Sequence, residues 1–151
     1  MANAMMSGII KAGLYRPEDI IGGDPSAESR EKTKENNHIT VTDDNLAVLD
    51  QCDYVCFTVK PQYYSKMIAG IRDHIREDHV IISIGAGRTL SYLDEQCGRP
   101  VKVVRVMPNT PAQVGEAMSA ACPNPYVSDE EADKVMEILR TFGKAEQMPE
   151  S

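Results

Sequence analysis

The chain has 151 residues, 42% of them hydrophobic, and a formal net charge of −7. This length suits one domain with its own core and is too short for two large ones. An acidic chain without a Lys/Arg cluster is a poor partner for nucleic acid or an anionic membrane, and its apolar stretches fall far short of the roughly 20 residues of a membrane-spanning helix. We therefore expect a cytoplasmic protein that binds neither nucleic acid nor membrane.

Short β-rich runs alternate with longer helical ones along the chain. The predicted strands are residues 20–23, 39–42, 54–59, 80–84, 101–107, 117–121 and 144–148, and the predicted helices are 2–12, 26–36, 45–51, 62–75, 91–97 and 129–141. The strands at 54–59 and 80–84 are apolar without clean alternation, which is typical of strands covered on both faces. The order βαβα predicts a doubly wound, mostly parallel Rossmann-like α/β sheet with helices on both faces.

The cysteines are scattered, and no two of them form a Cys-x-x-Cys pair. They are Cys52, Cys56, Cys97 and Cys122, and three histidines accompany them. We therefore expect no metal site. Free thiols in a reducing cytoplasm explain the four cysteines better than disulfides do, an oxidised pair being the alternative.

An apolar strand breaks at Met107-Pro108-Asn109-Thr110-Pro111 into a double-proline turn and then restarts. Each proline fixes its own φ and holds the residue before it extended, so Asn109 should be presented rigidly at a strand end. A strand-turn-strand corner without chemistry is the plain alternative. With Val114-Gly115-Glu116 and Met118, however, the run resembles the nucleotide-binding domain of pyrroline-5-carboxylate reductases over many residues in one register.

That resemblance implies a reaction and its partners. The family transfers a hydride from NADPH or NADH to the C=N carbon of 1-pyrroline-5-carboxylate, which gives proline in the last step of its synthesis. The cofactor performs this chemistry, so no catalytic side chain is assigned. We expect NADP as cofactor, with NAD possible, and a homo-oligomer in the complete enzyme.

The first predicted helix has no strand before it. In a dinucleotide-binding fold an apolar strand runs into Gly-x-Gly-x-x-Gly/Ala, and the last small residue of that loop lies in the first helical turn. Ala2 fits this last position, and by resemblance Met1 and Ala2 end a Gly-x-Gly-Asn-Met-Ala loop. Either the sequence starts at an internal methionine of a longer chain, or the fold uses a different first element in place of this strand. No later strand carries a glycine loop, which favours the former.

The next candidates follow the second predicted strand. Asp24 lies 22 positions after Ala2, close to the ~20-residue offset at which an acidic residue reaches the adenosine ribose. Capping of the following helix is an equally good and compatible reading of Asp24. By resemblance Asp24, Pro25 and Ser26 lie along the ribose and any 2′-phosphate, where Ser26 and Arg30 could attract phosphate.

Two further turns follow predicted strands. Thr58, Val59, Lys60 and Pro61 come after one strand, and Ile84, Gly85 and Ala86 after the next. The carboxyl ends of strands are where ligands gather in open α/β sheets, and the resemblance places these turns along the dinucleotide together with Asn45 and Asn109. For Asn45 alone, a helix cap is the better reading. We expect Lys60 to be solvated and not a nucleophile.

The resemblance also sets the domain boundaries. Residues 1–151 correspond to a truncated dinucleotide-binding domain, and the C-terminal helical domain that seats the substrate and builds the oligomer is absent. Two other functions stay open: a non-catalytic nucleotide-binding or regulatory module, and a related reductase of the 3-hydroxy acid or prephenate type. The double-proline turn argues against the latter.

Overall fold

A computed structural model describes residues 2–84, 88–109 and 117–148. The strands are β1 (Ile21–Gly23), β2 (Thr40–Thr42), β3 (Tyr54–Phe57), β4 (Val80–Ser83), β5 (Lys102–Asn109), β6 (Ala117–Pro123) and β7 (Gly143–Gln147). The α-helices are α1 (Ala2–Lys11), α2 (Ala27–Asn37), α3 (Asn45–Gln51), α4 (Tyr64–Ile71), α5 (Leu90–Cys97) and α6 (Asp129–Leu139). Each predicted strand and helix is present, so the expected α/β fold is confirmed.

The strands form two sheets. β1 pairs in parallel with β2, and a five-stranded sheet has the order β3-β4-β5-β6-β7. All neighbours in the larger sheet are parallel except β5 and β6, which are antiparallel. Seven residues separate β5 from β6. Because a parallel pair needs a crossover of about a dozen residues or more, this short connection requires the antiparallel arrangement.

Helices cover both faces of the larger sheet, which confirms the doubly wound arrangement. Val80 and Ile82 of β4 pack with α1 and α6 in one apolar cluster, whereas Ile81 packs with α4 and α5 in a second. Successive side chains of a strand point to opposite faces, so a β4 buried on both sides must be apolar at every one of these positions. The continuous apolar run in the sequence has this cause.

The strand β5 is longer than the sequence predicts. It continues through Pro108 to Asn109, and these residues pair with Ser119 and Met118 of β6. The expected break into a turn at Pro108 is therefore wrong. The pairing with β4 ends where Ser83 meets Arg105, so Pro108 lies on a section of β5 that is paired on one side only. A proline is tolerated in such a place because no second ladder needs its missing N–H.

The start of α6 confirms the predicted capping box. The Ser128 hydroxyl accepts a hydrogen bond from the Glu131 amide at 3.1 Å, and the Glu131 carboxylate accepts one from the Ser128 amide at 2.9 Å. The second carboxylate oxygen of Glu131 accepts a hydrogen bond of 2.8 Å from Lys102 Nζ on β5. Burial alone would raise the pKa of Glu131, but the hydrogen bonds from Lys102 and Ser128 hold it below its usual value. One side chain thus caps α6 and ties it to the sheet.

A cavity of about 660 Å³ is lined by both β1 and β3. Side chains of α1, α3 and α4 line it as well, among them Met5, Val48 and Met67. Within the described part of the chain, β1 has β2 as its only hydrogen-bonded neighbour and β3 has only β4. The two sheets are thus separate at the place where the cavity lies.

Candidate functional site

The carboxyl ends of β3 and β4 lie side by side and are joined by hydrogen bonds. Phe57 at the end of β3 is in register with Ser83 at the end of β4. The Tyr64 hydroxyl, fully buried, donates to the Phe57 carbonyl at 3.0 Å and lies 3.0 Å from the Ser83 hydroxyl. Because its single hydrogen is used on Phe57, Tyr64 must accept the bond from Ser83. The Ile84 amide also donates to the Phe57 carbonyl, at 3.4 Å.

This network places Ile84, the first residue after β4, next to the end of β3. Thr58 and Val59, which follow β3, are half-buried and line the cavity. Ile84, which follows β4, is also half-buried. Lys60 is exposed, as expected, and its carbonyl accepts a bond from the Tyr63 amide at 2.9 Å. Pro61 begins a short 3-10 helix that leads into α4. Backbone groups at these strand ends are thus available at the crevice, while the Lys60 ammonium points into solvent.

The Asp24 turn lies at the end of β1 and lines the same cavity. The Asp24 amide extends the pairing with β2 by donating to the Thr42 carbonyl at 3.0 Å. Its carboxylate accepts a bond from the Ser26 amide at 2.8 Å, whereas the Ser26 hydroxyl caps α2 by accepting from the Ser29 amide at 3.3 Å. Ser26, not Asp24, is therefore the N-cap of α2. Asp24 shapes the turn, is half-buried and faces the cavity, and Pro25 is exposed.

Cationic side chains of α2 line the cavity that this turn also lines. The Arg30 guanidinium donates to the Asp24 carbonyl at 2.8 Å, and Arg30 and Lys32 both line the cavity. The positive charge of Arg30 therefore lies beside the Asp24 turn, while exposed Lys32 pairs with Glu28 at 3.7 Å. Such an arrangement suits a ligand that carries hydroxyl groups and an anionic group together.

Asn45 does not cap α3, which corrects the reading of Asn45 as a helix cap. The cap is Asp44, whose carboxylate accepts a hydrogen bond from the Leu46 amide at 3.0 Å. Asn45 is the first residue of the helix, and its side-chain oxygen faces Gly23 of β1. A Cβ at Gly23 would lie 2.9 Å from that oxygen and 3.1 Å from Val48, so α3 can approach β1 this closely only at a glycine. Asn45 thereby lines the cavity beside the Asp24 turn.

Several predicted site residues are placed only in part. Ala2 begins α1, and Asn109 ends β5 opposite Met118, but their side chains lie outside the described residues. Met1, Gly85 and Ala86 lie outside them altogether, as does the rest of the double-proline turn from Thr110 onward. The described residues thus bring together Asp24, Asn45, Thr58 and Val59 at one cavity.

Two cysteines line the cavity but are poor nucleophiles. The cavity leaves Cys56 open to solvent, yet the surrounding protein desolvates the thiol and raises its pKa to about 12, with the neighbouring Cys52 adding to the shift. Burial, followed by the charge of Asp53, also raises the pKa of Cys52. Because the thiolate is the reactive form, the raised pKa makes each of these thiols a weaker nucleophile at neutral pH than an ordinary cysteine. All four cysteines are free thiols in the structure.

Sequence reasoning missed three residues that shape the crevice: Gly23, Tyr64 and Ser83. A signal existed for Gly23, since a Gly-Gly pair at a strand end often marks a close backbone approach. Tyr64 and Ser83 gave none, because a tyrosine in an amphipathic helix and a serine in an apolar strand look like ordinary packing. Among the described residues, no group of three or more metal-ligating side chains comes together. No helix found among them is long and apolar enough to cross a membrane.

Comparison with known proteins supports the resemblance seen in the sequence. The chain is 34% identical, over all of its length, to the pyrroline-5-carboxylate reductase of Methanosarcina acetivorans, of which it covers 56%. It is 32% identical over 99% of its length to the Escherichia coli enzyme of that name, again covering 56% of it. The chain thus spans about half the length of the curated relatives it matches.

The fold agrees with that of a solved relative. The crystal structure of Plasmodium falciparum pyrroline carboxylate reductase with NADP bound matches with a TM-score of 0.86 at 28% identity, over 97% of this chain and 53% of that one. A family model described as "NADP oxidoreductase coenzyme F420-dependent" matches residues 1–87, which is more than half of the chain. The chain therefore belongs to the family of NADP oxidoreductases that bears this description.

Proposed function

We propose that this chain is the dinucleotide-binding part of a pyrroline-5-carboxylate reductase that forms proline with NADPH. The observation that carries the proposal is the crevice at the carboxyl ends of the strands, where Asp24, Asn45, Thr58 and Val59 line one cavity. Such crevices are where dinucleotides bind in doubly wound sheets. Relatives that carry this enzyme name match the chain over its whole length, and one of them was solved with NADP bound.

The residues present fit a dinucleotide at its adenosine end. Asp24 can accept ribose hydroxyls, and Arg30, which donates to the Asp24 carbonyl, can attract a 2′-phosphate. The absence of a Cβ at Gly23 keeps Asn45 close to β1, within reach of the same ligand. The bound cofactor supplies the hydride, and the protein binds and orients it. We assign Thr58, Val59, Ile84 and Asn109 to the side nearer the nicotinamide.

We further propose that residues 1–151 act with a helical domain that seats the substrate and builds a homo-oligomer, in the cytoplasm. The proposal follows from the share of the relatives that the chain covers, 56%. Free thiols suit a reducing compartment.

A chimera tests the proposal. Residues 2–148 replace the matching segment of the Escherichia coli relative, which keeps its own preceding and following residues. We expect NADPH-dependent reduction of 1-pyrroline-5-carboxylate by the chimera, and only weak NADPH binding without reduction by the 151-residue chain alone. A folded chimera that binds NADPH but leaves 1-pyrroline-5-carboxylate unreduced would overturn the substrate assignment. A folded chimera that binds no dinucleotide would overturn the crevice as well.

Variants of the chimera test the orientation of the ligand. Asp24→Ser removes a charge that opposes a 2′-phosphate, so it should shift preference toward NADPH by about tenfold, or about 1.4 kcal/mol, and spare turnover. Asn109→Ala should instead lower kcat with little change in cofactor affinity. Asp43→Ser is the matched control, because it makes the same charge change at an exposed residue that is not among those lining the cavity. The opposite pattern, with Asp24→Ser abolishing turnover, would reverse the orientation.

A further inference from the structure

A side-chain hydrogen bond closes the loop between β3 and α4. The loop covers residues 58–63, from Phe57 at the end of β3 to Tyr64 at the start of α4. The Tyr64 hydroxyl donates to the Phe57 carbonyl at 3.0 Å, so the residue that follows the loop is bonded to the residue that precedes it. Their two rings also pack edge to face, at an interplanar angle of 88°. The ends of the loop that carries Thr58 and Val59 are therefore fixed to each other.

Ser83 connects this closed loop to the neighbouring strand. Its hydroxyl lies 3.0 Å from the Tyr64 hydroxyl, whose single hydrogen is used on Phe57, so Ser83 is the donor. Ser83 ends β4, and the amide of the next residue, Ile84, donates to the same Phe57 carbonyl at 3.4 Å, a long bond for an N–H donor. Of these two bonds to the Phe57 carbonyl, the one from Tyr64 is the shorter.

Together, Ser83, Tyr64 and Phe57 form a hydroxyl chain that runs in one direction, from the Ser83 hydroxyl through the Tyr64 hydroxyl to the Phe57 carbonyl. None of the three residues is more than 3% exposed. In such surroundings hydrogen bonds are electrostatically stronger than in water and polarise one another. A lost hydroxyl therefore leaves a buried group unsatisfied or shifts the strand ends, because water cannot replace it without entering the core.

We propose that Ser83 and Tyr64 are positioning residues for hydride transfer. The hydroxyl chain fixes Thr58 and Val59 relative to Ile84, and these residues in turn orient the nicotinamide toward its hydride acceptor. Both hydroxyl-bearing residues are fully buried, so they act through the backbone at the strand ends and not by contact with the ligand. A misplacement of about 1 Å can cost roughly 100-fold in rate, so small shifts of the strand ends are sufficient. This inference rests on the proposed function, since it concerns the reaction assigned there.

The chimera with the Escherichia coli relative provides the test. Ser83→Ala removes the first donor of the hydroxyl chain and leaves the bond between Tyr64 and Phe57 in place. We expect the single-turnover rate of NADPH oxidation, measured with the chimera in excess and expressed per bound NADPH, to fall about tenfold. The Kd for NADPH should change by less than about twofold, because the adenosine end of the crevice is unaltered. A change that only destabilises the fold lowers the number of occupied sites and leaves the rate per bound NADPH as it was.

Ser119→Ala is the matched control. Ser119 is 3% exposed and lies in β6 of the same sheet, and its buried hydroxyl has no hydrogen-bond partner among the described residues. The same deletion there should leave the single-turnover rate unchanged. An active chimera in which Ser83→Ala keeps the full rate, or in which both serine variants lose rate equally, would overturn the positioning role alone. An unaltered chimera that leaves 1-pyrroline-5-carboxylate unreduced would instead overturn the proposed function together with this inference.

Tyr64→Phe shows whether the two residues act through one another. If Ser83 acts through Tyr64, the variant with both changes should have the same rate per bound NADPH as Tyr64→Phe alone. Rate losses that multiply in the double variant would contradict a single hydroxyl chain.

Hydrogen exchange tests the hydroxyl chain without the reaction. In the full 151-residue chain, Ser83→Ala should speed the exchange of the Ile84 amide about tenfold, as expected for the loss of one buried hydrogen bond next to it. Ser119→Ala should leave that amide unaffected. Unchanged exchange at Ile84 in the Ser83 variant would show that the hydroxyl does not fix the strand ends, and would overturn the proposal whatever the chimera does.

Discussion

Tyr64 is the residue that holds the crevice together. Its hydroxyl bridges the Phe57 carbonyl and the Ser83 hydroxyl, and these two groups end the strands from which Val59 and Ile84 emerge. The ring also meets Phe57 edge-on, with centroids 5.9 Å apart. Because the bridge is fully buried, no water can replace a lost partner without entering the core. One hydroxyl therefore joins the ends of β3 and β4, in addition to their backbone pairing.

The change Tyr64→Phe should lower the free energy of unfolding by about 1–3 kcal/mol, since it leaves a buried carbonyl and a buried hydroxyl without this partner. Urea denaturation followed by circular dichroism measures the loss. Tyr63→Phe is the matched control, because Tyr63 is 56% exposed and should tolerate the same deletion. Equal effects of the two changes would show that the bridge adds no stability.

Position in the chain predicted which residues reach the crevice better than it predicted their roles. Asp24 was recognisable because its distance from the first helix is set by the βαβ unit. The interpretation of Asn45 as a cap was wrong because Asp44, one residue earlier, is an equally good cap, and sequence alone does not show which of the two starts the helix. The role of Tyr64 depends on contacts with Phe57 and Ser83 that form only on folding.

Among the elements, α6 is attached to the sheet by an ion pair that responds to pH. Lys102 on β5 and Glu131 in the first turn of α6 are 2.8 Å apart, with side chains 28% and 18% exposed. The hydrogen bond to Glu131 raises the pKa of Lys102, and the net pKa of Glu131 is lowered. A carboxyl whose pKa is lower in the folded state stabilises the fold above its unfolded pKa, and this contribution is lost as the pH falls through the folded value.

We therefore expect Glu131→Gln to lower stability at pH 7 by about 1 kcal/mol, the upper value for a partly exposed pair. The difference from the unaltered chain should shrink as the pH falls below about 4.3, the ordinary glutamate value. Thermal unfolding of both proteins measures this stability difference between about pH 3 and 7, roughly the range in which carboxylates titrate. Glu130→Gln, at the exposed neighbouring position, should show little change. If the stabilities of Glu131→Gln and Glu130→Gln differ by the same amount at every pH in this range, ionisation of Glu131 does not contribute to stability.

The element boundaries show where the sequence was informative. Helix α3 begins and ends as predicted, and α6 starts at its capping box, because a side-chain cap gives a local signal. The direction of β6 was not predicted, although the seven-residue connection implied it. The strand β5 passes through Pro108 because its neighbour β4 has already ended, and that relation between strands is invisible to local pattern.

At the scale of the whole molecule, the separation of the sheets predicts self-association. Open edges beside an apolar cavity favour pairing between chains. We expect sedimentation equilibrium to show a mass that rises with protein concentration. A folded monomer at the highest concentration reached would contradict this expectation.

The separation of the sheets also has a thermodynamic consequence. Neither apolar cluster includes a residue of β1, α2 or β2, and from the start of β1 to the end of β2 the only buried residues are Asn37 and a single apolar one, Ile39. The β1–α2–β2 unit therefore has little apolar burial that would make it unfold together with the rest of the protein. Denaturation should then proceed in two steps, in which this unit melts before the five-stranded sheet. Tyr64 and Glu131 both lie in the later-melting part. The changes in unfolding free energy expected for Tyr64→Phe and Glu131→Gln therefore refer to the second transition alone. The adenosine end of the crevice, which lies on the early-melting unit, would gain most of its order from the ligand it binds.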